Sequence, residues 1–182
     1  MRHYPTALQE VVVFEPVVHE DARGWFFESF RKDVFDSATA GPWTFVQDNH
    51  SRSSAGVVRG LHYQLPPHPQ GKLVRVVVGS ILDVAVDIRR SSPTFGRWVA
   101  VPLSATDKRQ LWIPPGFAHG FVAYADGTEI VYKTTDYYAP DCERSLQWND
   151  PELGVEWPHE LLLTASTKDS LAPPLSGAEL FP

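Results

Sequence analysis

The sequence predicts an all-β fold, a barrel or sandwich, on three observations. Short β-branched runs recur at regular spacing, turn residues punctuate the gaps between them, and helical periodicity is scarce. The punctuation is dense: 12 glycines and 16 prolines among 182 residues.

The elements follow in chain order. Val11-Val12-Val13-Phe14 and Trp25-Phe26-Phe27 are candidate strands in an N-terminal third where strand signals are otherwise sparse. Arg31 to Ala38 is a short amphipathic helix with Val34 and Phe35 on one side, too short to stand alone. Leu73 to Val78 is strongly β-branched and stops at Gly79-Ser80. Ile81 to Ile88 then alternates, with Leu82, Val84, Val86 and Ile88 on one face and Asp83, Ala85 and Asp87 on the other. The Gly-Ser step between these two runs predicts a hairpin. Ser91-Ser92-Pro93-Thr94 is a turn, Trp98 to Leu103 a strand with Pro102 at its end or at a sheet edge, and Leu111-Trp112-Ile113 a strand halted by Pro114-Pro115. Gly120 to Tyr124 and Glu129 to Thr134 flank Asp126-Gly127, a second hairpin signal. The Pro-rich tail, Leu171 to Pro182, is expected on the surface or as a short turn.

Composition bounds the function. At 43% hydrophobic and 12% aromatic the chain can bury a core, and its length fits one domain spanning residues 1–182. A formal charge of −6 provides neither a nucleic-acid footprint nor a basic membrane anchor. The single cysteine, Cys142, excludes an intrachain disulfide and a cysteine-based metal cluster, and has no assignable role. The N-terminus lacks the apolar core of a signal peptide and no apolar run nears the ~18 residues of a spanning helix. A cytoplasmic protein is expected.

Three clusters carry possible chemistry. Gln47-Asp48-Asn49-His50, Val58-Arg59-Gly60-Leu61-His62-Tyr63-Gln64 and Gln70-Gly71-Lys72 form the densest polar region, with Arg59, His62 and Lys72 expected beside turns at the mouth of the framework. His62 reads either as a hydrogen-bonded structural histidine or as a general base, since imidazole titrates near neutrality. Lys72 reads either as a solvated charge or as a cation that steadies an enolate oxygen. Tyr132 lies on an alternating run as a core phenol or a proton donor, and Tyr138 is a candidate stacking platform. Asp169, in Ser166-Thr167-Lys168-Asp169, would orient an imidazole if the fold brought it to His62. His3, His50, His68 and His159 default to structural or solvated roles.

Pro114, Gly116 and His119 make a P-x-G-x-x-H spacing that resembles the second motif of the cupin superfamily, whose fold is a jelly roll. The first cupin motif ordinarily holds H-x-H and then a glutamate. Here His62-Tyr63-Gln64 puts a glutamine at the second histidine, and no glutamate follows before Gly79. That leaves too few ligands for a metal site.

The motifs taken together resemble the dTDP-4-dehydrorhamnose 3,5-epimerase family, a metal-independent cupin branch, over nearly the whole chain. The resemblance runs from His19 to Glu28 through Val58 to Gln64, Gln70 to Val74, Asp83 to Arg89 and Ile113 to Phe121. It continues through Tyr132 to Tyr138 and Trp148 to Pro151 and closes at Lys168-Asp169. It implies a cupin-type jelly roll with a few short peripheral helices, and a substrate, dTDP-4-dehydro-6-deoxy-D-glucose, inverted at C3 and C5 without metal or cofactor. It further implies His62 as base, Asp169 as its carboxylate, Lys72 as enolate stabiliser and Tyr132 as proton donor. Arg23, Glu28, Gln47, Asn49, Arg59, Lys72, His119, Glu143 and Lys168 would bind substrate, with Arg59 and Lys168 on the diphosphate and Tyr138 stacked on the nucleotide. Relatives form homodimers that share N-terminal strands, so Arg23 and Glu28 would serve the partner's site. The rivals are an epimerase acting at one carbon only, a non-catalytic sugar-nucleotide-binding cupin, and a metal-dependent cupin that Gln64 argues against.

Overall fold

A computed structural model describes residues 1–182. Fourteen strands run in chain order: β1 Arg2–Pro5, β2 Val12–Glu15, β3 His19–Asp21, β4 Gly24–Phe26, β5 Gln47–Ser53, β6 Val57–Gln64, β7 Lys72–Val78, β8 Ser80–Asp87, β9 Trp98–Ser104, β10 Gln110–Ile113, β11 Phe117–Ala123, β12 Thr128–Thr134, β13 Glu143–Ser145 and β14 Thr164–Ala165. Helices are few: α1 Lys32–Ala38, α2 Thr167–Ser170 and 3₁₀ turns at Pro140–Cys142 and Leu175–Gly177.

The strands form two main sheets. The first runs β1-β2-β10-β7-β12-β5, the second β13-β6-β11-β8-β9 with β14 beside β6. Their facing surfaces bury one cluster that includes Val74, Val76, Ile81, Ala85, Leu111, Phe121 and Ile130. The outer face of the first sheet is covered by α1, whose Phe35 packs on Phe14 and Trp112 at centroid distances of 5.4 and 5.0 Å. The outer face of the second sheet packs Leu61, Val84, Val86 and Ile88 against Leu146, Leu153, Leu175, Ala178 and Leu180. The tail is largely exposed and forms a short 3₁₀ turn, as expected, but it also reaches the core through Leu175, Ala178 and Leu180: the alternation in β8 turns its more apolar face toward the tail and its Asp83-Ala85 face toward the other sheet.

Both expected hairpins are replaced by crossings between sheets. β7 and β8 do not pair, nor do β11 and β12; each partner lies in the opposite sheet. Turn chemistry reverses the chain either way, and here burial of both faces of β8 puts it between β11 and β9. Gly79, at φ +76°, makes the step from one sheet to the other. The Ser91–Thr94 turn does lie between paired strands, β8 and β9, and Pro102 sits on β9 at the sheet edge. Arg59, His62 and Lys72 lie within strands β6 and β7, not beside turns.

Candidate active site

The two sheets diverge at one end around a cleft of about 530 Å³ lined by Arg59, His62, Lys72, His119, Tyr132, Lys168 and Asp169, among others. A smaller, adjoining depression of about 260 Å³ adds Gln47, Asn49, Tyr138 and Glu143 while sharing His62, Lys72 and Tyr132. Strand alternation supplies most of this lining. On β7, Lys72 shares its face with the core residues Val74 and Val76; on β12, Tyr132 shares its face with Ile130. On β5, Gln47, Asn49 and Ser51 are half-buried and the intervening Asp48, His50 and Arg52 exposed.

Strand β6 needs a device that alternation alone does not provide. Arg59 and His62 are three residues apart, so a regular strand would aim them at opposite faces. Opposite His119 stands His62, and opposite Phe121 stands Arg59, so Gly60 and Leu61 together face Gly120 alone. This bulge restores both side chains to the cleft. It requires glycine: Gly60 has φ +128°, and a Cβ there would lie 2.7 Å from the His119 carbonyl oxygen.

His62 Nε2 lies 2.6 Å from Asp169 Oδ1. Asp169 is brought there by α2, where Ser166 Oγ accepts the Asp169 N–H at 3.1 Å as the helix N-cap. Burial pushes the Asp169 carboxyl up, but the hydrogen bond and charge of His62 outweigh it and leave it below the usual range. An ionised carboxylate only accepts, so Nε2 carries a hydrogen, and in the neutral ring the lone pair is on Nδ1.

Lys72 donates to the His62 carbonyl at 3.2 Å. Burial lowers its ammonium to about 8, with Asp83 and Glu143 opposing. Burial likewise raises the Tyr132 phenol, which stays protonated at neutral pH. His119 Nε2 is 2.6 Å from Asp83 Oδ1, and the second Asp83 oxygen is buried without a partner. Burial lowers His119 and keeps it neutral, against the pull of Asp83. Glu143 is held by Lys168 at 2.6 Å and by the Tyr138 hydroxyl at 3.0 Å. Arg59 donates to Ser53 Oγ and to the Arg52 carbonyl, each at 3.0 Å.

Eleven of the thirteen residues singled out in the sequence thus line one continuous site. Arg23 and Glu28 do not: Arg23 lies in the turn of the exposed ribbon β3–β4, where it pairs with Asp21 at 2.6 Å, and Glu28 follows β4. Sequence reasoning overlooked Asp83 as the partner of His119; an acidic residue inside the largely apolar Ile81–Ile88 run was the available signal.

The model of the dTDP-4-dehydrorhamnose 3,5-epimerase family matches residues 5–177. The chain belongs to the dTDP-4-dehydrorhamnose 3,5-epimerase family. It is 53% identical over 176 residues to an enzyme of that name from Pseudomonas aeruginosa, covering 97% of each chain. Its fold matches the dTDP-6-deoxy-D-glucose-3,5-epimerase of Legionella pneumophila in complex with dTDP-4-keto-L-rhamnose, with a TM-score of 0.93, 46% identity and 98% and 94% of the two chains covered. It also matches a 3'-monoepimerase from Streptomyces bikiniensis in complex with dTDP-quinovose, with a TM-score of 0.90, 37% identity and 95% and 87% covered. The architecture of this epimerase-family chain is the cupin-type jelly roll.

Proposed function

We propose that this protein converts dTDP-4-dehydro-6-deoxy-D-glucose to dTDP-4-dehydro-β-L-rhamnose by removing and returning protons at C3 and C5. The observation that carries the reading is that His62, with Asp169, and Tyr132 come from opposite sheets across one cleft, with Lys72 beside them. Inversion at a carbon next to a ketone needs a base on one face, an acid on the other and a cation for the enolate oxygen between them.

His62 Nδ1 takes the proton, and Asp169 holds the ring and compensates the charge it acquires. Lys72 faces O4 and stabilises the enolate in a site where burial strengthens its field. Tyr132 delivers a proton from the opposite side, a role suited to a phenol that stays neutral until a strong base forms. The same groups act at C3 and C5, and the net reaction moves protons only. Arg59 and Lys168 take the diphosphate, Tyr138 stacks on the nucleotide, and Gln47, Asn49, His119 and Glu143 complete the binding surface. One domain, residues 1–182, supplies every one of these residues, and within one protomer all but Arg23 and Glu28 line the cleft.

Those two residues act in a homodimer, reaching the partner's cleft. The β3–β4 ribbon supports this: Trp25 and Phe26 on it are 58% and 67% exposed, which suits a covered surface. No helix is long and apolar enough to cross a membrane, and a small nucleotide-sugar substrate fits a cytoplasmic enzyme.

The test uses EDTA-treated protein in D₂O with the 4-keto sugar nucleotide, following deuterium at C3 and C5 by NMR and trapping the product with a coupled reductase. Deuterium at both carbons with L-rhamno product is expected. Inversion at one carbon would place the protein with the monoepimerases, and no exchange would overturn the reading.

A further inference from the structure

Residues 136–139 join β12 to the first 3₁₀ turn and carry Tyr137 and Tyr138, which are 64% and 54% exposed. Aromatics this exposed on a connecting loop are ordinarily mobile. At Asp136 the Thr134 hydroxyl donates to the backbone carbonyl at 2.9 Å and His68 Nδ1 lies 3.1 Å from the carboxylate; beyond these, three glutamine side chains hold the loop backbone. Gln70 Nε2 donates to the Asp136 carbonyl at 2.8 Å, and Gln64 Nε2 to the Tyr137 carbonyl at 3.1 Å. The Tyr138 N–H donates to Gln47 Oε1 at 3.1 Å, and the Ala139 N–H to Gln64 Oε1 at 2.9 Å. Four consecutive residues each give one backbone group to a glutamine amide. The flanking backbone bonds, from the Thr135 N–H to Gly71 and from Cys142 and Glu143 to the Ala139 carbonyl, stop short of residues 136–138.

The glutamines come from three segments: β5, β6 and the β6–β7 loop. Gln64 is 3% exposed, and its amide is fully committed, because the second Nε2 hydrogen goes to the His68 carbonyl at 2.7 Å. It stands two residues beyond His62, so the strand that carries the proposed base also anchors the loop. Gln47 spends its amide nitrogen on Asn49 at 3.0 Å and its oxygen on Tyr138.

We infer that Gln47, Gln64 and Gln70 form a clamp that orders residues 136–139 before the nucleotide arrives, so that Gln64 and Gln70 are positioning residues for nucleotide affinity, not for proton transfer, and Gln47 adds this role to its place on the binding surface. The inference rests on the reading of Tyr138 as the stacking residue. Ordering the loop during folding removes that cost from binding, which is how preorganisation raises affinity.

Gln70 is half-buried, so Gln70→Met tests the clamp with little risk to folding; Gln70→Lys keeps a donor for the Asp136 carbonyl. Gln70→Met is expected to weaken dTDP binding and raise KM about five- to tenfold, the loss of one well-placed bond, while kcat stays within about twofold. Gln70→Lys is expected to recover most of the affinity. Amide exchange at Tyr138 and Ala139 accelerates in Gln64→Leu, which removes two of the four glutamine contacts to the loop. In a Tyr138→Ala background, Gln70→Met adds little, because both changes act through one ring. Full additivity there, an unchanged dTDP Kd in Gln70→Met, or a loss confined to kcat would each overturn the clamp. If Tyr138→Ala alone leaves dTDP affinity intact, the stacking reading fails first and takes the clamp with it.

Discussion

Two histidine–aspartate pairs lie side by side, their histidines on neighbouring strands: His62 on β6 with Asp169 from α2, and His119 on β11 with Asp83 from β8. Both have Nε2–Oδ1 distances of 2.6 Å, and the two histidines are direct cross-strand partners. Their settings differ. The His62 side chain is 32% exposed and its carboxylate arrives from a four-residue helix at the cleft edge; the His119 side chain is 7% exposed and its carboxylate sits in the adjacent strand. A base must present a lone pair to substrate and then tolerate a positive charge. His62 can do both, while His119 is kept neutral by burial, with Lys72 and His62 adding repulsion. The same pair of residue types thus has a geometry suited to accepting a proton at the open end and to a fixed hydrogen-bonding post one strand away.

The largest expected effect breaks the open pair. His62→Ala should lower turnover about 10³–10⁴-fold, the upper range for a positioned base, and abolish deuterium entry at both carbons while dTDP affinity holds within about twofold. The equivalent change in the closed pair sharpens the contrast. His119→Asn should cost only about ten- to fiftyfold in kcat/KM, consistent with lost hydrogen bonding and positioning. Equal losses from the two variants, read by steady-state kinetics and deuterium exchange, would erase the distinction between base and post.

Lys72 lies between the pairs, and its charge sets the next prediction. Burial lowers its ammonium to about 8, so the cation is present below that pH and lost above it. The free enzyme's kcat/KM should therefore fall as pH rises through about 8, well before the ordinary lysine range. Lys72→Met should lose about 10²–10³-fold in kcat, the scale of one electrostatic contact to an oxyanion, and should flatten that alkaline limb. A limb that persists in Lys72→Met belongs to another group.

How far the sequence could lead differs between these regions for physical reasons. Tyr132 was legible because it shares an alternating strand with the core residue Ile130, so hydropathy marked both strand and face. Lys72 was less so: the largely apolar run Leu73 to Val78 marks a strand but shows no alternation, and Lys72, one residue before it, reads as lying beside a turn. Strand β5 was not legible, because its inward residues Gln47, Asn49 and Ser51 are the site itself and leave no apolar alternation to read. The β6 bulge was hidden similarly: Arg59 and His62 share a face only because Gly60 and Leu61 oppose one residue. Asp126-Gly127 and Gly79-Ser80 announced reversals correctly, but whether the next strand pairs or crosses to the other sheet depends on burial far along the chain. The tail's richness in Pro and small residues concealed Leu175 and Leu180, two apolar residues that close the second sheet. Asp169 needed the resemblance, since nothing local connects residues 62 and 169.

The smallest effect comes from the helix that delivers Asp169 to the open pair. α2 has only four residues, and its N-cap bond from the Asp169 N–H to Ser166 Oγ is made by the very residue whose carboxylate meets His62. Ser166→Ala should cost about 1 kcal/mol of stability, the usual value of a lost cap, read as a shifted denaturation midpoint. Its effect on turnover should be a few-fold and lie in kcat more than KM, because the carboxylate loses orientation and not contact with substrate. Ser166→Asp retains a capping oxygen and should restore the midpoint, but it adds a second negative charge near Asp169. Recovery of stability without recovery of kcat would then locate the catalytic sensitivity in the electrostatics of the open pair. The closed pair has no such vulnerability, because Asp83 is held within the β8 ladder.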